Sequence, residues 1–367
     1  MEGMRKIEYQ RGLTLVEMMI AMAIGLILLL ALGGMLSGSL RHFKVQDEFS
    51  RMQENGQFAL NAIGYDIRMA GFFGKLGVVN VAIIDLNQDG IPDPDPIAAS
   101  TGDDCGAGWA TDFQHPVFGY SGLVAAGANA ALPCIDPANF LAGSPILVLR
   151  GAGGQEVTAP LNNVLYLQST AAAGIVFNGS DYPLVMANPI HPPWLAKLDG
   201  STPASIFPYQ PRAYYLRPCS RPSGAAASAT SDPRCRAGDD GGQAIPTLVR
   251  QELDGLAMVE QPVAEGIERF SVLYGLDDVN MANRDGYVNT YVAAPLASDF
   301  DRVVAIRVAV LARSLTASTG HDDSGKTYDM GDGSAPFACT AGVNCGYHRH
   351  VFSQTFQVRN LSQRLQQ

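Results

Sequence analysis

The chain has 367 residues, of which 47% are apolar and 16% charged, and it carries a net charge of −10. That length suffices for one large domain or two ordinary ones, and the apolar content excludes disorder as a description of the whole. With 25 Lys plus Arg against 35 Asp plus Glu, no basic field exists to attract a nucleic-acid backbone, and no nucleic acid is expected as a partner.

The N-terminal region concentrates the apolar residues. Met18 to Leu36 runs without a charge, roughly 28 Å of helix and close to the thickness of a bilayer core. Arg5, Lys6 and Arg11 precede it, so the positive-inside rule keeps the short leader cytoplasmic and sends the remainder across the membrane. Charge and length alone fit a secretory signal peptide or a plain signal anchor. Two details depart from that reading. The favoured cleavage point, Gly12-Leu13, lies before the apolar core, so cutting there leaves the helix on the mature chain. Glu17 also places a carboxylate inside the membrane stretch, where burial costs several kcal/mol unless it is paired.

From Arg41 onward the pattern becomes amphipathic. Phe49, Met52, Gly56, Leu60, Ile63, Ile67 and Ala70 recur at steps of three and four, while Arg41, Lys44, Asp47, Glu48, Arg51 and Glu54 lie off that line. Gly33, Gly34 and Gly38 are weak points where the helix can bend, and Gly71 suits its C-terminus.

Beyond residue 75 short apolar runs alternate with Gly, Pro, Asn and Asp, as in Ile146-Leu147-Val148-Leu149, Val164 to Leu167 and Tyr214-Tyr215-Leu216, and read as strands. The 39 Gly and 22 Pro match many turns and argue against a helical bundle. Residues 302–313 alternate with period two, Val304, Ile306, Val308 and Val310 facing the helix and Ala305, Arg307 and Ala309 facing outward, as a half-buried antiparallel strand does. Residues 266–276 and 350–359 read as two more sheet strands. The fold class is therefore α+β, one long N-terminal helix packed on an antiparallel sheet with large loops. An Ala/Ser-rich patch from Ser223 to Ser231 reads as a loop tip.

Six cysteines, Cys105, Cys134, Cys219, Cys235, Cys339 and Cys345, all follow the membrane segment and include no Cys-x-x-Cys pair, which favours disulfides over zinc. Sequential pairing, Cys105 with Cys134, Cys219 with Cys235 and Cys339 with Cys345, staples three separate loops. One small-ligand signal stands out. In Asp85-Leu86-Asn87-Gln88-Asp89-Gly90-Ile91-Pro92-Asp93, oxygen ligands fall at loop positions one, three, five and nine, with the Ile91 carbonyl at seven and Gly90 at six, as calcium loops require. Pro96 occupies position twelve, so Asp95 or a neighbouring loop has to supply the missing acid; a solvated Asp/Asn/Gly turn accounts for the same residues. Ca2+ is the one cofactor candidate. The clusters Asp277-Asp278-Asn280-Asn283-Asp285 and Asp322-Asp323-Asp329 lack ligand spacing and read as turns, as does Gly151-Ala152-Gly153-Gly154. The pair His348 and His350 has no placed carboxylate, no nucleophile elbow occurs, and no catalytic role is assigned.

The leader ending in Gly12, followed by Leu13-Thr14-Leu15-Val16-Glu17 and a long apolar helix, resembles the class III signal of type IV prepilins. Gln53 to Leu60, Asp66 to Phe72, Leu273 to Asp277, Val303 to Ser314 and Val351 to Asn360 resemble the PilW family of minor pilins. The resemblance implies cleavage by a prepilin peptidase between Gly12 and Leu13, N-methylation of Leu13 (where the family usually has Phe), and pairing of Glu17 with a terminal ammonium in the filament. It implies residues 1–12 as leader, 13–40 as the transmembrane and filament-core helix, 41–72 as its amphipathic continuation, and 73–367 as an exposed β-rich domain whose least family-like part is about 95–245. Its implied partners are other minor and major pilins, the inner-membrane assembly machinery and a tip adhesin. Its implied role is priming or capping a type IV pilus that serves twitching motility, cell adhesion or DNA uptake. A type II secretion pseudopilin shares the N-terminal motif, and a membrane-anchored calcium-dependent adhesive module is the alternative of a different class.

Overall fold

The computed structural model describes residues 14–76, 81–83, 105, 109, 112–171, 174–182, 195, 202–226 and 232–365. The chain divides into two compact units, Met1–Ser50 and Arg51–Gln367, and helix α1, Leu15–Met69, contributes to each. In the first unit the large apolar side chains from Leu15 to Leu36 are all more than half exposed.

In the second unit the strands in chain order are β1 (Val81–Ile83), β2 (Val117–Tyr120), β3 (Ile146–Leu149), β4 (Leu165–Ser169), β5 (Gly174–Asn178), β6 (Ser205–Pro208), β7 (Arg212–Arg217) and β8 (Thr247–Asp254). They continue with β9 (Ala257–Glu265), β10 (Ile267–Leu276), β11 (Thr290–Val292), β12 (Val303–Arg313), β13 (Thr327–Tyr328), β14 (Phe337–Ala338) and β15 (Arg349–Gln357). Two short helices, α2 (Ala125–Ala131) and α3 (Arg359–Leu365), complete the set. The sheets are β2-β3-β7-β8-β9, β11-β10-β12-β15, β1-β5-β4-β6 and the hairpin β13-β14. Gly266, at φ +73°, is the single residue by which the chain leaves β9 for β10 and so passes from one large sheet to the other; a Cβ there would meet the Arg313 carbonyl at 2.7 Å.

From Met52 onward the apolar line of the helix is where the periodicity puts it, but its expected first member Phe49 is exposed and Glu48, expected off the line, is buried. Met52, Leu60, Ile63, Ile67 and Ala70 are buried, joined by Ala59, in one core with Leu147, Leu149, Tyr214 and Leu248 of the first sheet and Phe270, Val272, Ile306, Val308, Val310, Phe352 and Phe356 of the second. Positions 56 and 64 lack side chains, and the rings of Phe352 and Phe356 fill the two gaps: a Cβ on Gly56 would overlap the Phe352 ring, and one on Gly64 the Phe356 ring. The far face of the first sheet is also covered. Ile146, Val148, Tyr215 and Val249 pack there with Phe73, Phe113, Leu132, Leu165 and Phe207, which is why β3 reads Ile-Leu-Val-Leu without alternation and is buried throughout. Within the 95–245 span, therefore, β2, β3 and β7 are built into the sheet beneath the helix.

β12 departs from the half-buried expectation in two ways. A register shift opposite Gly275 and Leu276 puts Val303, rather than Val304, in the helix-facing core. Its outward face is covered too, Ala309 and Leu311 lying under Met330, Tyr328 and Phe337 of the β13-β14 region, so that only Arg307 stays partly exposed. The last strand ends at Gln357, and Arg359 opens α3 instead of extending it.

Polar groups fix the ends of this helix seat. Gly71, at φ +73°, follows the helix and donates its N–H to the Arg150 carbonyl, while Asn360 Nδ2 reaches back to the carbonyls of Arg68 and Ala70 at 3.2 and 3.0 Å, capping acceptors the helix leaves open. A Cβ on Gly151 would stand 2.5 Å from the Met69 carbonyl, so the Gly151 turn is the floor on which the helix end rests. One carboxylate of the helix is buried in the contact. Asp66 accepts from Arg212 and from the Tyr214 hydroxyl, with Arg250 at 3.7 Å, and Glu252 engages the same Arg250 at 2.6 Å. A second buried group on the first sheet joins Glu260 to Arg217 and Tyr215. Burial raises the pKa of both carboxyls, more than their cationic and hydroxyl partners lower it.

Two expected outcomes follow for the detergent-solubilised chain in denaturant melts. Gly56→Ala or Gly64→Ala costs about 1–3 kcal/mol through overpacking against the phenylalanine rings, whereas Gly325→Ala, with open space around its Cβ, leaves the midpoint unchanged. Arg212→Ala costs about 3 kcal/mol near neutral pH because it leaves the Asp66 charge buried without its main partner. A pKa raised on folding means that stability is fully present below the unfolded value and is lost as pH rises through the folded one. The Arg212→Ala deficit therefore shrinks on acidification, while Asp66→Asn, which removes the charge itself, costs only about 1 kcal/mol.

Candidate functional site

The sequence points to the N-terminal turn of α1 as the place where chemistry and assembly meet. Gly12 and Leu13 lie outside the described residues; Thr14 is the first described. Its backbone N–H donates to Glu17 Oε2 at 2.9 Å and its hydroxyl to the same oxygen at 2.8 Å, while the Glu17 N–H donates to Thr14 Oγ1 at 3.3 Å. This reciprocal pair is a capping box, which satisfies donors that a helix start leaves open. Its signature, Thr14-Leu15-Val16-Glu17, is legible in the sequence as Thr-x-x-Glu, but only Glu17 was singled out there. The arrangement holds the carboxylate against the backbone one residue beyond the Gly12-Leu13 bond. Behind it, Met18, Met19, Ile20, Met22, Ile24 and Leu26 to Leu30 form an exposed apolar surface, and the helix is long and apolar enough to cross a membrane.

The disulfides join Cys105 to Cys134, Cys219 to Cys235 and Cys339 to Cys345. Asp239 lies close to the Cys219 and Cys235 sulfurs, but sulfurs bonded to each other offer no thiolate, so this trio is no metal site. Asp239 instead accepts from Ser223 and from the Arg236 N–H, hydrogen bonds that hold its carboxyl below the usual range and tie down the start of the Ser223 loop. The calcium candidates Asp85, Asn87, Asp89, Ile91 and Asp93 lie outside the described residues.

The two weaker acidic clusters resolve differently. Asp277 is fully buried and acts within its own loop, accepting from the N–H groups of Asp278 and Gly286 at 2.7 and 2.8 Å, while Arg302 bonds the Asp277 carbonyl at 2.6 Å. Arg302 also hydrogen-bonds Asp299 and lowers its pKa. Asp323, by contrast, is more than a turn residue. Burial raises its pKa, yet Lys326, the Tyr328 hydroxyl and Arg349 at 2.9, 2.7 and 3.2 Å outweigh that and lower it. The buried Arg349 is at the same time bidentate on Glu268, at 2.6 and 3.1 Å. The segment between β12 and β15 is thereby fastened onto the outer face of the second sheet, a role that sequence reasoning missed because its partners lie far apart in the chain.

No histidine pair forms at His348 and His350: the first lies over His321 at 3.7 Å and the second meets Phe352 edge-on at 4.7 Å. An open groove of about 510 Å³ lies beside β10. In it the Ser271 hydroxyl donates to Asp332 at 2.6 Å and Arg269 lies over Phe337, and no histidine lines it among the described residues.

The comparisons with known proteins agree with the two ends of the chain. The family described as Prokaryotic N-terminal methylation motif matches residues 9–33, and the family described as Type IV Pilus-assembly protein W matches residues 236–360, which span β8 to β15. A type IV-like pilin from Thermus thermophilus is similar at 14% identity over 54% of this chain and 84% of that one, with a TM-score of 0.22, too slight a likeness to carry structural argument. No curated protein matches. The chain is thus similar to the prepilin methylation motif at one end and, over residues 236–360, to the type IV pilus-assembly family at the other.

Proposed function

We propose that the chain is made as a prepilin, cut between Gly12 and Leu13 by a prepilin peptidase, N-methylated at Leu13, and taken into the priming or tip complex of a type IV pilus. Pilus assembly as such comes with the family; the processing point, the position in the filament and the individual partners are the further reading. One observation carries it: an apolar helix surface exposed from Leu15 onward, headed by a single carboxylate folded against the first turn. An exposed apolar surface of that length has to be covered by lipid, by other helices, or by each in turn. Glu17 lies where a new terminal ammonium, its own or a neighbour's, would neutralise it at low dielectric.

Topology follows from the same residues. Arg5, Lys6 and Arg11 retain the leader in the cytoplasm, and the three disulfides beyond the helix suit a periplasmic domain. The role is structural rather than catalytic, with other pilins and the inner-membrane machinery as partners.

The test is mass spectrometry of the N-terminal peptide from membranes and from sheared surface filaments, combined with quantified piliation. Methylated Leu13 is expected in both fractions, and Gly12→Ala abolishes processing. Glu17→Ala leaves cleavage intact and lowers piliation about tenfold or more, as removal of a paired charge at low dielectric should. Glu17→Gln, which keeps an acceptor for Thr14 but no charge, separates ion pairing from capping: it lowers piliation as Ala does if the charge is what matters. An uncut Met1 terminus in all fractions would overturn the proposal.

A further inference from the structure

The loop that leads into β2 sets a histidine between two carboxylates. On one side of the His115 ring, Nδ1 lies 3.1 and 3.0 Å from the two oxygens of Asp112, and the His115 backbone N–H donates to the same carboxylate at 3.3 Å. An ionised carboxylate only accepts, so the ring nitrogen facing it is the one that bears hydrogen. The Asp112 charge has a counterion of its own in the buried Arg150, 3.8 Å away, and the same guanidinium donates to the His115 carbonyl at 2.6 Å. The ring therefore needs no second proton to balance Asp112, and Nε2 keeps its lone pair. Nε2 faces Asp301 Oδ1 at 3.7 Å, and among the described residues Asp301 makes no other polar contact. Two acceptors thus face one another, and a cation between them reconciles the pair. A shared proton would draw them to about 2.7–2.9 Å. The 3.7 Å found is instead the spacing of two ligands that each stand about 2.1 Å from one ion. Both are held firmly: the His115 ring meets Phe118 edge-on, Phe118 lies on Phe300 at 4.4 Å, and the buried Phe300 adjoins Asp301 in the same turn.

We propose that His115 Nε2 and the Asp301 carboxylate hold one divalent transition-metal ion, Zn2+ being the best match, while Asp112 orients the imidazole through Nδ1. A hydrogen-bonded carboxylate behind the ring is the usual support of a coordinating histidine. The imidazole nitrogen selects against Ca2+ and Mg2+, which take oxygen ligands. With the two side chains 34% and 58% exposed, water reaches the ion and completes its shell. The ion ties the entry to β2, in the first sheet, to the turn Ala297–Arg302 before β12, in the second. Arg150, which buttresses Asp112 and His115, also receives the Gly71 N–H at the end of α1, so the metal stabilises the two-sheet seat of the helix by mass action. Nothing in the sequence marks the site, because Asp301 meets His115 only in the folded chain.

The experiment titrates ZnCl2 into the detergent-solubilised, metal-stripped full chain, with calorimetry for stoichiometry and denaturant melts for stability. One Zn2+ per chain and a raised midpoint are expected, and no shift with MgCl2. Because the cysteines are all held in disulfides, Co2+ in place of Zn2+ gives the absorption of nitrogen and oxygen ligands without a thiolate band. Asp112→Asn, which leaves both ligands in place, lowers the Zn2+ affinity about 10–100-fold, and Asp301→Asn, which removes one, lowers it at least as much. Asp301→Asn changes an exposed carboxylate, so its metal-free midpoint stays that of the unaltered chain, which separates lost binding from lost folding. His115→Gln abolishes the signal. No heat and no shift at millimolar ZnCl2 overturns the proposal. Binding that survives both Asp301→Asn and His115→Gln overturns it as well and shows an adventitious ion only.

Discussion

Residues 52–70 of the helix lie close against β15 because positions 56 and 64 present bare backbone to two phenylalanine rings. That close approach is what allows one helix to serve two sheets: with the rings recessed between its turns, the helix buries Met52, Leu60, Ile63 and Ile67 against strands of both. The single-residue turn at Gly266 then matters, since it carries the chain directly from β9 into β10 and keeps the two sheets under the same helix. Dense packing of this kind tolerates little added volume.

The charged groups within the domain act on register more than on net stability. Asp66, Glu260 and Glu268 are each buried beside an arginine, and desolvation consumes most of what such pairs gain. An alternative packing that separated any of these pairs would strand a charge in the interior. In this chain they link the helix to β7, β7 to β9, and β10 to β15. All three links join segments far apart in sequence.

Periodicity made much of this readable beforehand. The helix and most of its buried line, and the strands read at 146–149, 214–216, 266–276 and 302–313, were legible because each depends on local spacing, and the sequential cysteine pairing, one of fifteen that six cysteines allow, is the one that forms. What stayed hidden depends on meetings between distant residues. Gly64 offers no signal without Phe356, Asp323 looks like a turn acid until Arg349 is placed beside it, and the outer face of β12 looks solvent-facing until the β13-β14 hairpin covers it. The Thr14-Glu17 box is the exception, being local and legible by its Thr-x-x-Glu spacing. Val304 shows the limit of period-two reasoning: one bulge shifts the parity of every residue beyond it.

The reach of Asn360 back to Arg68 and Ala70 has a consequence for timing. The strands and the cap that receive the second half of the helix, from Val303 to Leu361, follow it by more than two hundred residues. Contacts so remote in sequence close slowly, so the helix finds its seat only after those late strands are made. A chain halted before Arg349 would lack β15 and Asn360 alike, leaving residues 52–70 of the helix without the surface that receives them.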